Sequence, residues 1–344
     1  MNANWMTYLA RSEGEPLRPP AFVISLDFEL HWGMSDIVTT PEHPYVRRLL
    51  GARRAVPAML DLFRERHICA TWATVGFLFA EDRETLRRFS PTRRPHYVNP
   101  ALDNYRLTIG DDEASDPLHY ARSLVDLIAQ TPGQEIASHT FSHYYCHEEG
   151  QTPEDFKADL AAAMAIAEHV GHRPSSLVLP RNQVDEAYLA PMHEAGFRCY
   201  RGNPQRAGFS RYQRDATFRR ALRLLDSYVD LTGHHGIKWR DLKGDPLNIP
   251  ASMFLRPRRG VPQLDALRLR RIKNAMRSAA RHGEIFHLWW HPHNFGGDTD
   301  AHLRDLAAII GYFQSLSIEY GMRSMSMGDV LMRHEQATTA PSTT

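Results

Sequence analysis

Cysteine is scarce in this sequence. Cys69, Cys146 and Cys199 are the only three in 344 residues, and they stand far apart. An odd, sparse set suits a reduced compartment and argues against a disulfide framework. An excess of charge of either sign is also lacking. Lys and Arg number 41 against 40 Asp and Glu, a formal net charge of +1. No global basic field therefore argues for nucleic acid, and no basic run for an anionic membrane. No apolar run approaches the ~18 residues that a transmembrane helix needs. The start, MNANWMTYLARSEGEPLRPPAF, has no apolar core behind a basic end, so no secretory leader is expected and the expected address is the cytoplasm. GxSxG, a Gly-rich phosphate loop and CxxC are missing as well.

What is present is an alternation of short apolar runs with helical patterns. AFVISLDF (21–28), SSLVLPRN (175–182), FRCYRG (197–202) and the start of IPASMFLRPRRG (249–260) read as strands; ICATWATVGFLF (68–79) reads as a strand running into a loop or helix, QEIASHTFSH (134–143) as a strand ending in the histidine stretch, and EIFHLWWHPHNFGG (284–297) as a strand leading into a loop. Segments 46–67, 119–131, 153–171, 185–196, 264–283 and 303–321 read as helices; Pro153 and Gly171 bracket the clearest of them. Repeated β-then-α order predicts a parallel sheet with covering helices, and five or more units favour one α/β barrel or distorted barrel. The expected division is an extension over 1–19, one domain over 20–335 and a disordered tail over 336–344. Segment 90–117 is polar and proline-rich and reads as an inserted loop. Segment 202–220 is similarly irregular.

Three strand ends carry chemistry. In ASHTFSHYYCH, His139 and His143 are four residues apart. If the turn after the strand is helical, both imidazoles leave one face and reach one divalent ion; the alternative is a pair of histidines bonded to backbone. In ISLDFELHWG, alternation puts Asp27 and Glu29 on the same side of a strand end. Two acids ending so apolar a run call for a cation or a shared proton, unless Glu29 simply meets solvent. In HLWWHPHNFGG, His287, Trp289 and His291 share a face. His287 reads as structural and His291 as functional, while Trp289 and Trp290 are either core or the lining of a sugar site. Arg181, in LVLPRNQ, is a surface residue or a guanidinium near the carboxylates. His234, His235 and Arg256 give thinner signals.

Taken in order, these segments resemble the polysaccharide deacetylases, the NodB-homology carbohydrate esterases, over roughly residues 20–330. SLDFE looks like their acid-bearing first motif, SHTFSH like H-[ST]-x-x-x-H, LPRNQ like the arginine–proline third motif, and WWHP like L-x-H-P. The resemblance implies a single-domain distorted (β/α) barrel that hydrolyses N-acetyl, sometimes O-acetyl, groups on sugars. It implies one divalent metal ion, usually zinc with cobalt or nickel as alternatives, held by an acid and two histidines. Carried over, His139 and His143 are ligands, Asp27 is the base and His291 the acid. Phe28 stands where the metal-binding acid is usual, so that role falls to Glu29, with Asp27 and Glu29 interchangeable. Arg181 follows its proline instead of preceding it; its expected role is to tether the base. Trp32, Trp289, Trp290, His293 and Asn294 are the candidates for substrate contact. The expected substrate is an acetylated saccharide, a cytoplasmic precursor of a surface polysaccharide that a lipid- or nucleotide-linked sugar would fit, with a phosphate to meet arginines in 198–220 or 256–259. A hydrolase of a non-sugar C–N bond and a non-catalytic glycan-binding protein are the alternatives.

Overall fold

A computed structural model describes residues 18–204 and 224–339. Its centre is β1 (Ala21–Phe28), buried at every position, as expected of a strand covered on both faces. Around it lie β2 (Ala70–Thr74), β3 (Gln134–Ser138), β4 (Ser176–Leu177), β5 (Cys199–Tyr200), β6 (Leu247–Asn248), β7 (Met253–Phe254), β8 (Ile285–Trp290) and β9 (Arg323–Met325). All pair in parallel, in the order β6-β5-β4-β3-β2-β1-β8-β7, with β9 added beside the first half of β1. Among the described residues β6 and β7 are the two ends of this order. The result is a curled sheet, an incompletely closed barrel.

Helices cover the outside: α1 (Val46–Arg66), α2 (Arg83–Phe89), α3 (Arg122–Gln130), α4 (Pro153–His169), α5 (Leu189–Glu194), α6 (Pro262–Arg281), α7 (Thr299–Tyr320) and α8 (Met327–Thr339). Their ends follow local chemistry. Thr152 caps α4 by accepting from the Asp155 amide, with Pro153 at the first position. Gly321 ends α7 in the left-handed region, at φ 68°. The main core joins Phe22, Leu26 and Phe28 of β1 to Met59 and Phe63 of α1 and Ile309 and Phe313 of α7. Each such side chain contributes roughly 1.5–3 kcal/mol by leaving water.

The barrel and its strands follow the sequence pattern, with several differences, and helices α2 and α8 lie outside the segments read as helical. The run 68–79 passes from β2 into a 3-10 turn at Gly76–Phe79, as expected, while the strands within 134–143 and 175–182 end early, at Ser138 and Leu177. Strands β6 and β9, absent from the sequence pattern, are too brief to show a period. Segment 185–196 splits into a 3-10 turn and the six-residue α5. Residues 336–339, expected within the tail, continue α8. The 90–117 loop is irregular with two 3-10 turns, Pro100–Leu102 and Asn104–Arg106. The extension 1–17, residues 205–220 of the second irregular segment and the tail 340–344 lie outside the described residues.

One packing detail fixes the turn after β8. A Cβ at Gly51 of α1 would land on the Gly296 carbonyl, and one at Gly296 would land on the Arg48 carbonyl. Helix α1 and this turn therefore touch backbone to backbone.

Candidate metal centre

The carboxyl ends of β1, β3, β5 and β8 converge, as the strand ends of parallel α/β folds do. Asp27 lies within β1, paired with Ala73. Glu29 is one residue past its end, and Leu30 at φ 46° turns the chain into a 3-10 turn. Both acids are buried, at 3% exposure, and both approach His291 Nε2, at 3.8 Å from Asp27 Oδ2 and 3.6 Å from Glu29 Oε1. The alternation is met, and the solvent-exposed reading of Glu29 is not. Gly33 makes room for the Glu29 carboxyl, since a Cβ there would overlap it.

His139 and His143 face the other Glu29 oxygen. Their Nε2 atoms lie 3.4 and 3.0 Å from Glu29 Oε2, and the three donor atoms fall within 4.8 Å of one another. The pair does not converge by helical geometry. Residues 139–143 form an irregular turn, with Thr140 at φ 63° and His143 at φ 59°. His139 Nδ1 lies 2.8 Å from the Val178 carbonyl. A carbonyl only accepts, so Nδ1 carries the proton and Nε2 presents a lone pair. That buried Nε2 has no hydrogen-bond partner. A lone pair aimed at a carboxylate oxygen is repulsive unless a cation lies between them. Two imidazole nitrogens and one carboxylate oxygen are a zinc-type donor set, so these residues fit a divalent ion.

Asp27 has a different partner, one the sequence reading missed. Arg201, just past β5 and wholly buried, grips it with two hydrogen bonds of 2.6 and 2.7 Å. Arg201 also donates to Ser25 Oγ and to Asn182 Oδ1, and its guanidinium lies 4.2 Å over the Trp289 ring. Burial pushes the Asp27 carboxyl up, but the charge and bonds of Arg201 outweigh it and hold the group below its ordinary value. Arg181 does not reach this pair. At φ 53° it turns toward Asp36, 2.6 Å away, and stacks on Tyr145. The LPRNQ segment contributes through Asn182 instead.

His291 is partly exposed and backed by its neighbours. His293 stacks on it with ring centres 4.9 Å apart, and Asn294 Oδ1 accepts from the His291 amide at 3.4 Å. His293 is buried; burial, then the neighbouring His291, pushes it down to about 3, so it stays neutral. His287 is structural, as expected: buried, it donates from Nδ1 to the Pro250 carbonyl and accepts from Ser25 at Nε2. Of the expected aromatic contacts, only Trp289 is partly exposed. Trp32 is buried with its indole N–H on the His119 carbonyl, and Trp290 is buried against Phe295. His293 and Asn294 likewise support His291 from within. Trp289 and Phe254 line a cavity of about 180 Å³ with Asn182, Asn203, Ser227 and Arg256. Phe254 also meets the His291 ring edge-on, so cavity and cluster adjoin.

The inserted loop shapes this site through the side chain of Asn104, among others. Buried Asn104 donates to the Trp32 and Ser142 carbonyls, at 2.9 and 3.0 Å, and accepts from Ser35 Oγ. Asn104→Ala leaves both carbonyls without this donor. The expected loss is about 2–3 kcal/mol of unfolding free energy, read from the denaturant midpoint; a shift below about 0.5 kcal/mol would show that the loop is not pinned there.

Three of the solved structures that share this fold are instructive. Two are described as polysaccharide deacetylases. One, from Mycobacterium smegmatis, is 15% identical with a TM-score of 0.59 and covers 97% of each chain. The other, from Pseudomonas aeruginosa PAO1, is 14% identical with a TM-score of 0.58 and covers 96% of each. The third, PuuE allantoinase, is 15% identical with a TM-score of 0.56, covering 97% of this chain and 96% of its own. They define the class, a distorted parallel (β/α) barrel. Residues 50–200 match the family described as polysaccharide deacetylase, so the resemblance carried by the motifs is borne out, and the fold is of the polysaccharide deacetylase type. None of the curated proteins matches it. Among the described residues no helix is long and apolar enough to cross a membrane.

Proposed function

We propose that this protein is a metal-dependent deacetylase that hydrolyses an N-acetyl group on a saccharide. The observation that carries this reading is the convergence of Glu29, His139 and His143 on one point, beside an Arg201-held Asp27 and a partly exposed His291. Glu29, His139 and His143 hold the ion, and zinc suits the donor set. When bound, such an ion polarises a carbonyl and acidifies water.

The remaining work falls to the chain itself. Asp27 is the base. Arg201 keeps it ionised and fixes both oxygens, so it can take a proton from the water that attacks the acetyl carbon. Its bond to Arg201 separates its role from that of Glu29, which has the two histidines. His291 donates a proton to the departing nitrogen, because an amide nitrogen leaves poorly without one. His293 and Asn294 hold the His291 ring in place. Trp289 and Phe254 offer an aromatic wall on which a sugar ring packs with its acetamido group toward His291. The products are acetate and a free amino sugar.

The test is acetate release from N-acetylated oligosaccharides by protein stripped of metal and reloaded with zinc or cobalt. Activity that appears only on reloading supports the reading. Metal uptake without acetate release from any acetylated saccharide, but with ammonia release from a small amide, would move the protein to non-sugar C–N hydrolysis. His291→Ala should lower turnover roughly a hundredfold with metal content unchanged; an unaltered rate removes His291 from the reaction.

A further inference from the structure

The turn that carries His139 and His143 is an improbable shape for its sequence. Thr140, a β-branched residue, sits at φ 63°, and His143 sits at φ 59°. The left-handed region is disfavoured above all for a β-branched side chain such as Thr140, and persists there only where surroundings impose it. The donor atoms depend on this shape, because no helix brings them together.

Helix α4 supplies what imposes it. Asp159 is wholly buried beneath the turn. Its Oδ1 accepts from the Phe141 amide at 2.7 Å, and its Oδ2 accepts from the Ser142 amide at 3.1 Å and from the Ser142 hydroxyl. Asp159 forms no ion pair among the described residues. A buried carboxyl without a cation is costly to keep, and burial pushes this one up to about 6 against the pull of its three donors. All three donors lie between the two histidines. The turn is pinned from other sides too: His139 by the Val178 carbonyl, and Ser142 by Asn104 through its carbonyl.

We propose that Asp159 is a positioning residue of the metal centre, holding residues 140–143 in the conformation that aims His139 and His143 at Glu29. This rests on the metal-centre reading above. Asp159 touches no donor atom and acts only through the turn.

The measurement is cobalt(II) binding by the metal-free full chain, followed by its visible absorption and by calorimetry. Asp159→Asn keeps the size but turns an N–H group toward an N–H or O–H donor. It should weaken cobalt(II) binding about tenfold to a hundredfold, the range for lost outer-shell support, and alter the absorption band. Denaturation of the metal-free protein should remain cooperative. Ser142→Ala removes one donor only and should give a smaller loss in the same direction; it carries the test if Asp159→Asn does not fold. Binding within twofold of the wild type, with the same spectrum, in each variant that folds would overturn the assignment while leaving the metal centre intact. A wild-type chain that takes up no cobalt(II) or zinc would sink the metal-centre reading, and this inference with it.

Discussion

His139→Ala/His143→Ala should bind no divalent ion and release no acetate. Two of the three donors are removed, and a lone Glu29 carboxylate is no site for a zinc-type ion. The effect can be read without any substrate. A saturating ion raises the stability of the wild type by RT ln(1 + [L]/Kd), about 4 kcal/mol at a thousandfold excess over Kd. Added zinc should therefore raise the wild-type melting temperature and leave that of the double variant where it was. The metal-free double variant should still fold, because the histidines face a polar centre and the apolar core around Phe22, Phe63 and Phe313 is untouched. Equal metal content in the two proteins would end the metal-centre reading. The repulsion between the His139 lone pair and Glu29 would then need a proton to relieve it.

Asp27→Asn should abolish turnover while the metal stays. General bases contribute about a hundredfold to ten-thousandfold, and the loss here should sit at the upper end, since no second carboxylate takes its place. The same change uncovers a stability effect. Arg201 has no exposure, and Asp27 neutralises it through two bonds. Removing one partner of a buried ion pair costs about 3–5 kcal/mol, whereas replacing both by apolar groups of similar size is often close to neutral. Asp27→Leu/Arg201→Met should thus be more stable than Asp27→Asn and just as inactive. Urea denaturation of the variants beside acetate release separates the two quantities. If Asp27→Asn retains activity while Glu29→Gln loses it with metal still bound, Glu29 is the base and the roles are exchanged.

The donors were legible because each stands at the end of an apolar strand, where a polar cluster has no structural reason to be. That signal gave Asp27, Glu29, His139, His143 and His291. Arg201 carries the same signal at the end of FRCYRG, but its strand is only two residues long, and it reaches Asp27 across 174 residues of chain. The arginine was instead sought in LPRNQ, where a left-handed residue turns Arg181 away. The spacing of His139 and His143 suggested helix, and no side-chain pattern announces two positive φ angles in S-H-T-F-S-H. Trp290 could have been excluded by the alternation that singled out Trp289 and His291: it points to the other face, into the core. Trp32 lies within a 3-10 turn, where no strand period applies.

The contact between Gly51 and Gly296 ties the proposed reaction to a region far from it in sequence. The turn that begins with His291 rests on the backbone of α1, with no side chain between to yield. Any atom added at either glycine must separate the helix from the turn, and His291 travels with the turn. Residues 51 and 296 therefore set the alignment of His291, the proposed proton donor, as firmly as its own neighbours do. In a survey of single substitutions they should stand out as intolerant positions that touch no substrate, a trace of catalysis written in two residues that have no side chain.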